Sequence, residues 1–182
     1  MQSIDTDASF VYNENGLKVQ KTINGIAADY TLHGKNVVHM KMGNDELHFF
    51  YDASNKPAVV VYNGVPHSYV KNLQGDIIAI LDSNKNIVVS YVYDAWGRPI
   101  SKTGSMAATL GTVQPFRYRG YVYDEEMGLY YLRSRYYHPK WSRFTSMDIG
   151  IKISRHALKS NGYAYCMNSV PTHADTEGTD AY

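Results

Sequence analysis

Valine, isoleucine, tyrosine and phenylalanine dominate the apolar positions of this chain, and no helical period runs between its turn signals. Apolar and polar residues alternate in short runs, the pattern of half-buried strands. Val and Ile outnumber any Leu-rich stretch, which favours strands over helices. The runs break at a recurring unit. Tyr12-Asn13-Glu14-Asn15-Gly16 precedes Leu17–Lys21, Tyr51-Asp52-Ala53-Ser54-Asn55 precedes Lys56–Val60, and Tyr93-Asp94-Ala95-Trp96-Gly97 precedes Arg98–Lys102. Leu81-Asp82-Ser83-Asn84-Lys85 is a degenerate copy, and Tyr123-Asp124-Glu125-Glu126-Met127-Gly128 is one lengthened by a residue. In each unit Tyr ends a strand and Asp or Asn accepts turn hydrogen bonds. The fourth residue after the Tyr takes positive φ, and a new strand begins. Asn24-Gly25 and Asn63-Gly64 add two-residue hairpin signals. Turns are therefore predicted near 13–16, 24–25, 52–55, 63–64, 82–85, 94–97 and 124–128.

Hairpins spaced this way predict an all-β repeat fold. No single hairpin buries its own face, so neighbours must stack into one sheet. The expected architecture is an antiparallel hairpin array forming a curved or spiral sheet, followed by a β-rich core with little helix. A boundary is placed near residue 105. It divides a degenerate repeat region, 1–105, from a core domain, 106–182. Residues 103–115 are small, polar and uncharged and suit a surface loop.

Residues 116–148 are the most distinctive stretch. Seven of the chain's 17 tyrosines lie there: Tyr118, Tyr121, Tyr123, Tyr130, Tyr131, Tyr136 and Tyr137. They are interleaved with Arg117, Arg119, Arg133, Arg135 and Arg143 and followed by Phe144. The alternation of Phe116 and Tyr118 with Arg117 and Arg119 predicts a strand with an aromatic face and a guanidinium face. Gly120 and Gly128 mark turns.

This stretch, with the same kind of repeat in front of it, resembles the core motif of the Rhs/YD-repeat family. The resemblance implies a long repeat array that spirals and closes into a hollow shell, followed by a core. It implies a secreted or cell-surface carrier with a C-terminal toxin as partner. Only Thr179–Tyr182 follow Gly178, which leaves no room for a toxin, so the chain reads as the tip of such a shell. Family cores often end in two Asp-Pro-x-Gly motifs whose aspartates form a self-cleaving pair. The matching positions are Asp148 and Asp175, but neither is followed by proline. Two carboxylates sharing a site divide acid and base roles. Turn aspartates that accept backbone hydrogen bonds are the plainer reading.

Other chemistry is limited by composition. A formal charge of +1 gives no global field, and Asp124, Glu125 and Glu126 sit among the arginines. A packed Tyr–Arg sheet is therefore favoured over a nucleic-acid platform. Cys166 is the one cysteine, so no intramolecular disulfide and no cysteine-based zinc site forms. His33, His39, His48, His67, His138, His156 and His173 show no zinc-enzyme spacing, and neither metal nor cofactor is expected. No apolar run approaches the ~20 residues of a membrane-spanning helix, and the N-terminus has no signal-peptide pattern. The favoured function is a structural shell module with no enzymatic activity. Two alternatives are a core that cleaves itself in cis, and a carbohydrate-binding surface using exposed tyrosines with Trp96 or Trp141. An isolated array also presents an open sheet edge, which invites self-association.

Overall fold

A computed structural model describes residues 7–146 together with Tyr163 and Tyr165. Ten strands follow one another: β1 (Ala8–Tyr12), β2 (Lys18–Ile23), β3 (Ile26–His33), β4 (Asn36–Met42), β5 (Asp45–Tyr51), β6 (Pro57–Tyr62), β7 (Val65–Lys71), β8 (Ile77–Leu81), β9 (Ile87–Tyr93) and β10 (Pro99–Thr103). They form one antiparallel sheet in simple chain order. A second sheet holds β11 (Val122–Asp124), β12 (Leu129–Leu132), β13 (Arg135–His138) and β14 (Arg143–Phe144), again in chain order. Between the sheets, helical structure is limited to one α-turn, α1 (Leu110–Val113), and a 3-10 turn at Tyr118–Gly120. The all-β expectation holds, and the predicted turns fall between strands as expected.

Two kinds of hairpin recur along the sheet. The first is a turn closed by an Asn or Asp side chain. Asn13 Oδ1 accepts the N–H groups of Asn15 and Leu17, each at 3.0 Å, while Asn13 N–H donates to Leu17 O at 2.9 Å. Asp52, Asp82 and Asp94 repeat this arrangement. So does Asn72, in Asn72-Leu73-Gln74-Gly75-Asp76, a copy without the leading tyrosine that sequence reasoning missed. The third residue after each Asn or Asp has positive φ: Gly16 72°, Asn55 57°, Gly75 89°, Lys85 68° and Gly97 80°. Each such turn is accompanied by a register shift in the adjoining strand pair. The second kind is the two-residue turn. Asn24 and Gly25 have φ 50° and 81°, and Asn63 and Gly64 have 48° and 83°. Positive φ at both centres is what a type I′ turn requires. These hairpins keep an unbroken register.

One face of the large sheet is the core. Leu47, Val60, Ile80 and Val89 are fully buried there, with Met40, Phe49, Tyr69 and Tyr91 beside them. A sheet that buries one face needs a cover, and residues 110–122 supply it. Leu110, Phe116 and Val122 join the same apolar cluster. The Phe116 ring stands edge-on to Phe49 at 5.0 Å and to Tyr69 at 6.3 Å. Burying such a ring contributes about 1.5–3 kcal/mol.

Two sequence expectations need correction here. The stretch 103–115 is a surface loop only in its first half; from Leu110 onward Gly111, Gln114 and Pro115 are buried as well. Residues 116–119 are not a two-faced strand. Phe116 makes a single bridge to Val122, and Arg119 has φ 57° inside the 3-10 turn. Phe116, Arg117, Tyr118 and Arg119 are all buried, so the alternation of residue types does not separate an inner from an outer face. The physical reason is that Arg117 satisfies its guanidinium internally and needs no solvent side.

Candidate functional site: the tyrosine–arginine module on the turn row

The hairpin turns of β1–β2, β5–β6, β7–β8 and β9–β10 leave from one end of the large sheet, because in an up-and-down meander every second turn shares an end. The tyrosine–arginine segment docks there. Three tyrosine hydroxyls donate to three successive carbonyls of the β9–β10 turn. Tyr118 reaches Ala95 O at 2.9 Å, Tyr137 reaches Trp96 O at 2.8 Å, and Tyr130 reaches Gly97 O at 2.7 Å. A turn's carbonyls point outward and lack strand partners, so buried tyrosines satisfy them at the same time as they cover the turn. A side chain at position 97 would place its Cβ 2.5 Å from the Tyr118 ring. Gly97 is therefore required both for its φ of 80° and for this close approach.

The β7–β8 and β1–β2 turns are held by different bonds. Arg119 N–H donates to Asp76 Oδ1 at 2.9 Å, and Ile77 N–H donates to Arg117 O at 3.1 Å. Lys18 N–H, just after the first turn, donates to the Tyr131 hydroxyl at 3.0 Å. Tyr12 and Tyr136 share a hydroxyl hydrogen bond of 3.1 Å.

Arg117 is the centre of the module. Its guanidinium lies 4.4 Å from the Tyr91 ring centre and donates to the carbonyls of Gly111, Thr112, Gln114 and Phe116. It also meets Glu125 at 3.2 Å. This is a buried cation with a full set of acceptors, the condition under which burial is tolerated. Gln114 completes the network. It accepts from Tyr69 Oη at 2.9 Å and donates to Tyr91 Oη at 2.8 Å.

Asp124 does not close its own turn, unlike its counterparts in the large sheet. Its carboxylate, fully buried, takes Lys18 Nζ at 2.6 Å and Lys21 Nζ at 3.2 Å. Glu126 pairs with Lys21 at 2.8 Å, and Glu125 pairs with Lys102 at 2.5 Å. Lys18 and Lys21 belong to β2 while Lys102 belongs to β10. Consecutive acidic residues thus reach strands near opposite edges of a ten-stranded sheet, which requires that sheet to curl around the module. Lys18 Nζ lies 4.6 Å from the Tyr131 ring centre and 5.5 Å from that of Phe10. Burial pulls its pKa below the usual lysine value, and Asp124 works against that shift.

The remaining motif residues line the second core. Tyr123 packs on Tyr130 at 4.6 Å, and Arg135 lies 3.5 Å over the Phe144 ring. Arg133 turns the β12–β13 hairpin with φ 62°, Gly120 and Gly128 have φ 71° and 68°, and Arg143 is exposed. Tyr165 closes the cluster, 4.1 Å from Tyr137 and with its hydroxyl 3.2 Å from that of Tyr121. A cavity of about 120 Å³ adjoins the module, lined in part by Lys35, Lys56, Arg119, Arg133, Tyr51 and Leu132. Burial, then the neighbouring Lys71, Arg133 and Arg119, lowers the Lys56 pKa. Asp148, Asp175 and Cys166 lie outside the described residues. Trp96 packs against the second cluster, while Trp141 is exposed and stacks on His138 at 4.0 Å.

The family model of the teneurin YD-shell matches residues 38–171. The chain belongs to the YD-shell family. The match begins in β4 and runs past β14, so it takes in most of the large sheet and all of the second. The YD-shell chain is 37% identical over 175 residues to the tRNA3(Ser)-specific nuclease WapA of Bacillus spizizenii, covering 94% of this chain and 7% of that protein. The crystal structure of TcdB2-TccC3-TEV superposes with a TM-score of 0.73 at 20% identity, over 97% of this chain and 9% of the other. The Photorhabdus luminescens Tc holotoxin pore gives a TM-score of 0.72 at 18% identity, over all of this chain and 9% of that one. These two structures share the YD-shell fold. The chain spans less than a tenth of the length of each of these proteins.

The turn row was half legible in the sequence. The Tyr-Asp units and the turn glycines were found, but not what covers them. A signal was present: seven tyrosines in residues 116–148 are more than one sheet face needs, and hydroxyl-bearing rings suit a surface of outward carbonyls.

Proposed function

We propose that this YD-shell module seals one end of a longer shell and that the shell carries or encloses a toxin. The tyrosine–arginine segment is the seal, and the large sheet is the last part of the wall. The three tyrosine hydroxyls on Ala95, Trp96 and Gly97 carry this reading. They fasten the segment to the β9–β10 turn at the sheet's end. Among the described residues β1 pairs only with β2, which leaves its outer edge for a further strand of wall. The tRNA nuclease activity in the relative's name is assigned here to a part of such proteins other than this wall and seal. Delivery outside the cell follows from the same reading. The described residues hold no helix long and apolar enough to cross a membrane.

The test joins this chain to an upstream YD-repeat array and a protease-sensitive cargo. The combined variant Tyr118→Phe, Tyr130→Phe, Tyr137→Phe should expose the cargo to added protease while the wild type protects it. Equal protection in both would overturn the seal. The alternative, self-cleavage at Asp148 and Asp175, is decided by intact mass: the proposal expects an undivided chain. A shortened species that vanishes in Asp148→Asn would replace the seal with an endopeptidase.

A further inference from the structure

The outer face of the large sheet carries a cluster unconnected with the module. His39 on β4 and His48 on β5 are directly opposed cross-strand partners. Glu46 lies two residues before His48, on the same face of β5. The neighbours Met40, Leu47 and Phe49 point into the core, so the three polar side chains point out. His39 Nε2 lies 3.0 Å from Glu46 Oε1, and His48 Nε2 lies 3.7 Å from the same oxygen. The three donor atoms fall within 4.8 Å of one another, and the two imidazole ring centres are 4.6 Å apart.

These separations suit one transition-metal ion. Zinc binds imidazole nitrogen and carboxylate oxygen at about 2.0–2.2 Å, so tetrahedral ligands sit roughly 3.3 Å from each other. The observed nitrogen–oxygen distances of 3.0 and 3.7 Å bracket that value. Two imidazoles and a carboxylate form a donor set chosen by zinc, nickel or copper rather than by calcium or magnesium. Thr31 is the cross-strand partner of His39 and places its hydroxyl 3.5 Å from Nδ1, on the side away from Glu46. A hydroxyl on that side helps orient the ring so that Nε2 faces Glu46. Lys41 stands across from Glu46, yet the ion contacts drawn by Glu46 among the described residues are the two histidines.

The register itself maintains the site. The two-residue turn at Gly43-Asn44 forces 39 to face 48 and 41 to face 46, with no shift along the hairpin. The sheet's buried face locks that register, because a one-residue slip would turn Leu47 and Phe49 to water. The donors are therefore held together by the fold before any metal arrives.

We propose that His39, Glu46 and His48 bind one divalent transition-metal cation of the zinc class, with solvent or a neighbouring molecule's donor completing the coordination. The site is on the outside of the wall and is independent of the seal.

Isothermal titration of the full chain with zinc chloride, in metal-free buffer, tests this. The expected result is one ion per chain. His39→Gln and His48→Gln should each weaken binding at least about tenfold, and Glu46→Gln should weaken it too. His33→Gln, at an exposed turn-side position, should leave it unchanged. All three positions face outward, so the variants should melt at the wild-type temperature without metal, which separates lost binding from lost folding. Cobalt substitution should give a tetrahedral visible absorption band that His39→Gln removes. Absence of binding by the wild type would overturn the proposal. So would one-ion binding that survives His39→Gln combined with His48→Gln.

Discussion

The turns at Asp82–Asn86 and Asp94–Arg98 have the same hydrogen bonds and leave from opposite ends of the same sheet. In both, an aspartate Oδ1 gathers two backbone N–H groups and the third residue onward has positive φ. The first turn lies in water. The second lies under three tyrosines. The consequence is visible in one residue. Position 85 holds a lysine, which the open turn tolerates at φ 68°, whereas position 97 holds glycine under the Tyr118 ring. Local turn chemistry is therefore sufficient for a hairpin in either place. What distinguishes the covered end is added by a segment distant in sequence.

The broadest way to break the covered end is alkali. Burial raises the pKa of Tyr130, Tyr69 and Tyr30 well above the ordinary value, and raises those of Tyr91, Tyr93, Tyr123 and Tyr136. At the opposite end Tyr62 is also pushed up to about 12, by burial and by the Asp45 carboxylate it bonds. A hydroxyl harder to ionise when folded contributes stability at pH values below its unfolded pKa of about 10, and that stability is lost as pH climbs past it. Lys18 has the opposite sign, since its lowered pKa means stability is regained at high pH, but it is one group against many. Melting temperature should fall steeply between about pH 9 and 12, in step with tyrosinate absorbance. A flat profile would mean that the tyrosine cores are open to water.

The next effect tests the clasp. Asp124→Asn leaves the Lys18 ammonium buried beside a neutral amide, and loss of one partner of a buried pair costs roughly 3–5 kcal/mol. Urea midpoints should show it. The double change Lys18→Met with Asp124→Leu should recover most of the loss, because apolar replacement of a buried pair is often near neutral. Asp82→Asn, in the open turn, should change little, since asparagine closes the equivalent turns at Asn13 and Asn72.

Most of the large sheet was legible because its information is local. Tyr-Asp units, Asn-Gly pairs and alternating apolar residues each act within a few positions of chain. The histidine pair was legible in principle, since fixing the turn at Gly43-Asn44 sets residue 39 against 48. A helical zinc spacing such as His-x-x-x-His does not capture it, because the pair meets across a hairpin. The docked segment was not legible. Phe116 to Arg119 alternate like a strand, but Arg117 finds its acceptors at Gly111, Gln114 and Glu125, and Tyr118 finds its acceptor at Ala95. The strand-like alternation records none of those partners, near or far. Asp124 is the sharpest case. By sequence it is one more turn aspartate; in the fold it leaves its turn to the backbone and pairs with lysines more than a hundred residues away.

Two glycines separate backbone strain from the cost of contact. Gly16→Val forces a branched residue to φ 72° with open space around its Cβ, so only strain of about 1–3 kcal/mol applies. Gly97→Val adds a collision with the buried Tyr118 ring, and overpacking costs about 1–3 kcal/mol more. Ser105→Val, on an exposed loop, should stay within about 0.5 kcal/mol of wild type. Equal losses at Gly16 and Gly97 would mean that Tyr118 does not cover the turn.

The smallest effect runs in the stabilising direction and comes from the open turn. Lys85 holds φ 68° where other copies of the turn place glycine or asparagine. A non-glycine residue in the left-handed region carries about 1–2 kcal/mol of strain, and glycine at the same place loses about 0.5–1 kcal/mol through the greater freedom of its unfolded chain. Relief exceeds cost, so Lys85→Gly should raise stability by about 0.5–1 kcal/mol, read as a small upward shift of the urea midpoint with unchanged slope. The side chain of Lys85 is exposed, so no packing is lost in the exchange. A decrease instead would show that Lys85 is held by contacts outside its turn, and that the end of the sheet opposite the tyrosines is covered as well.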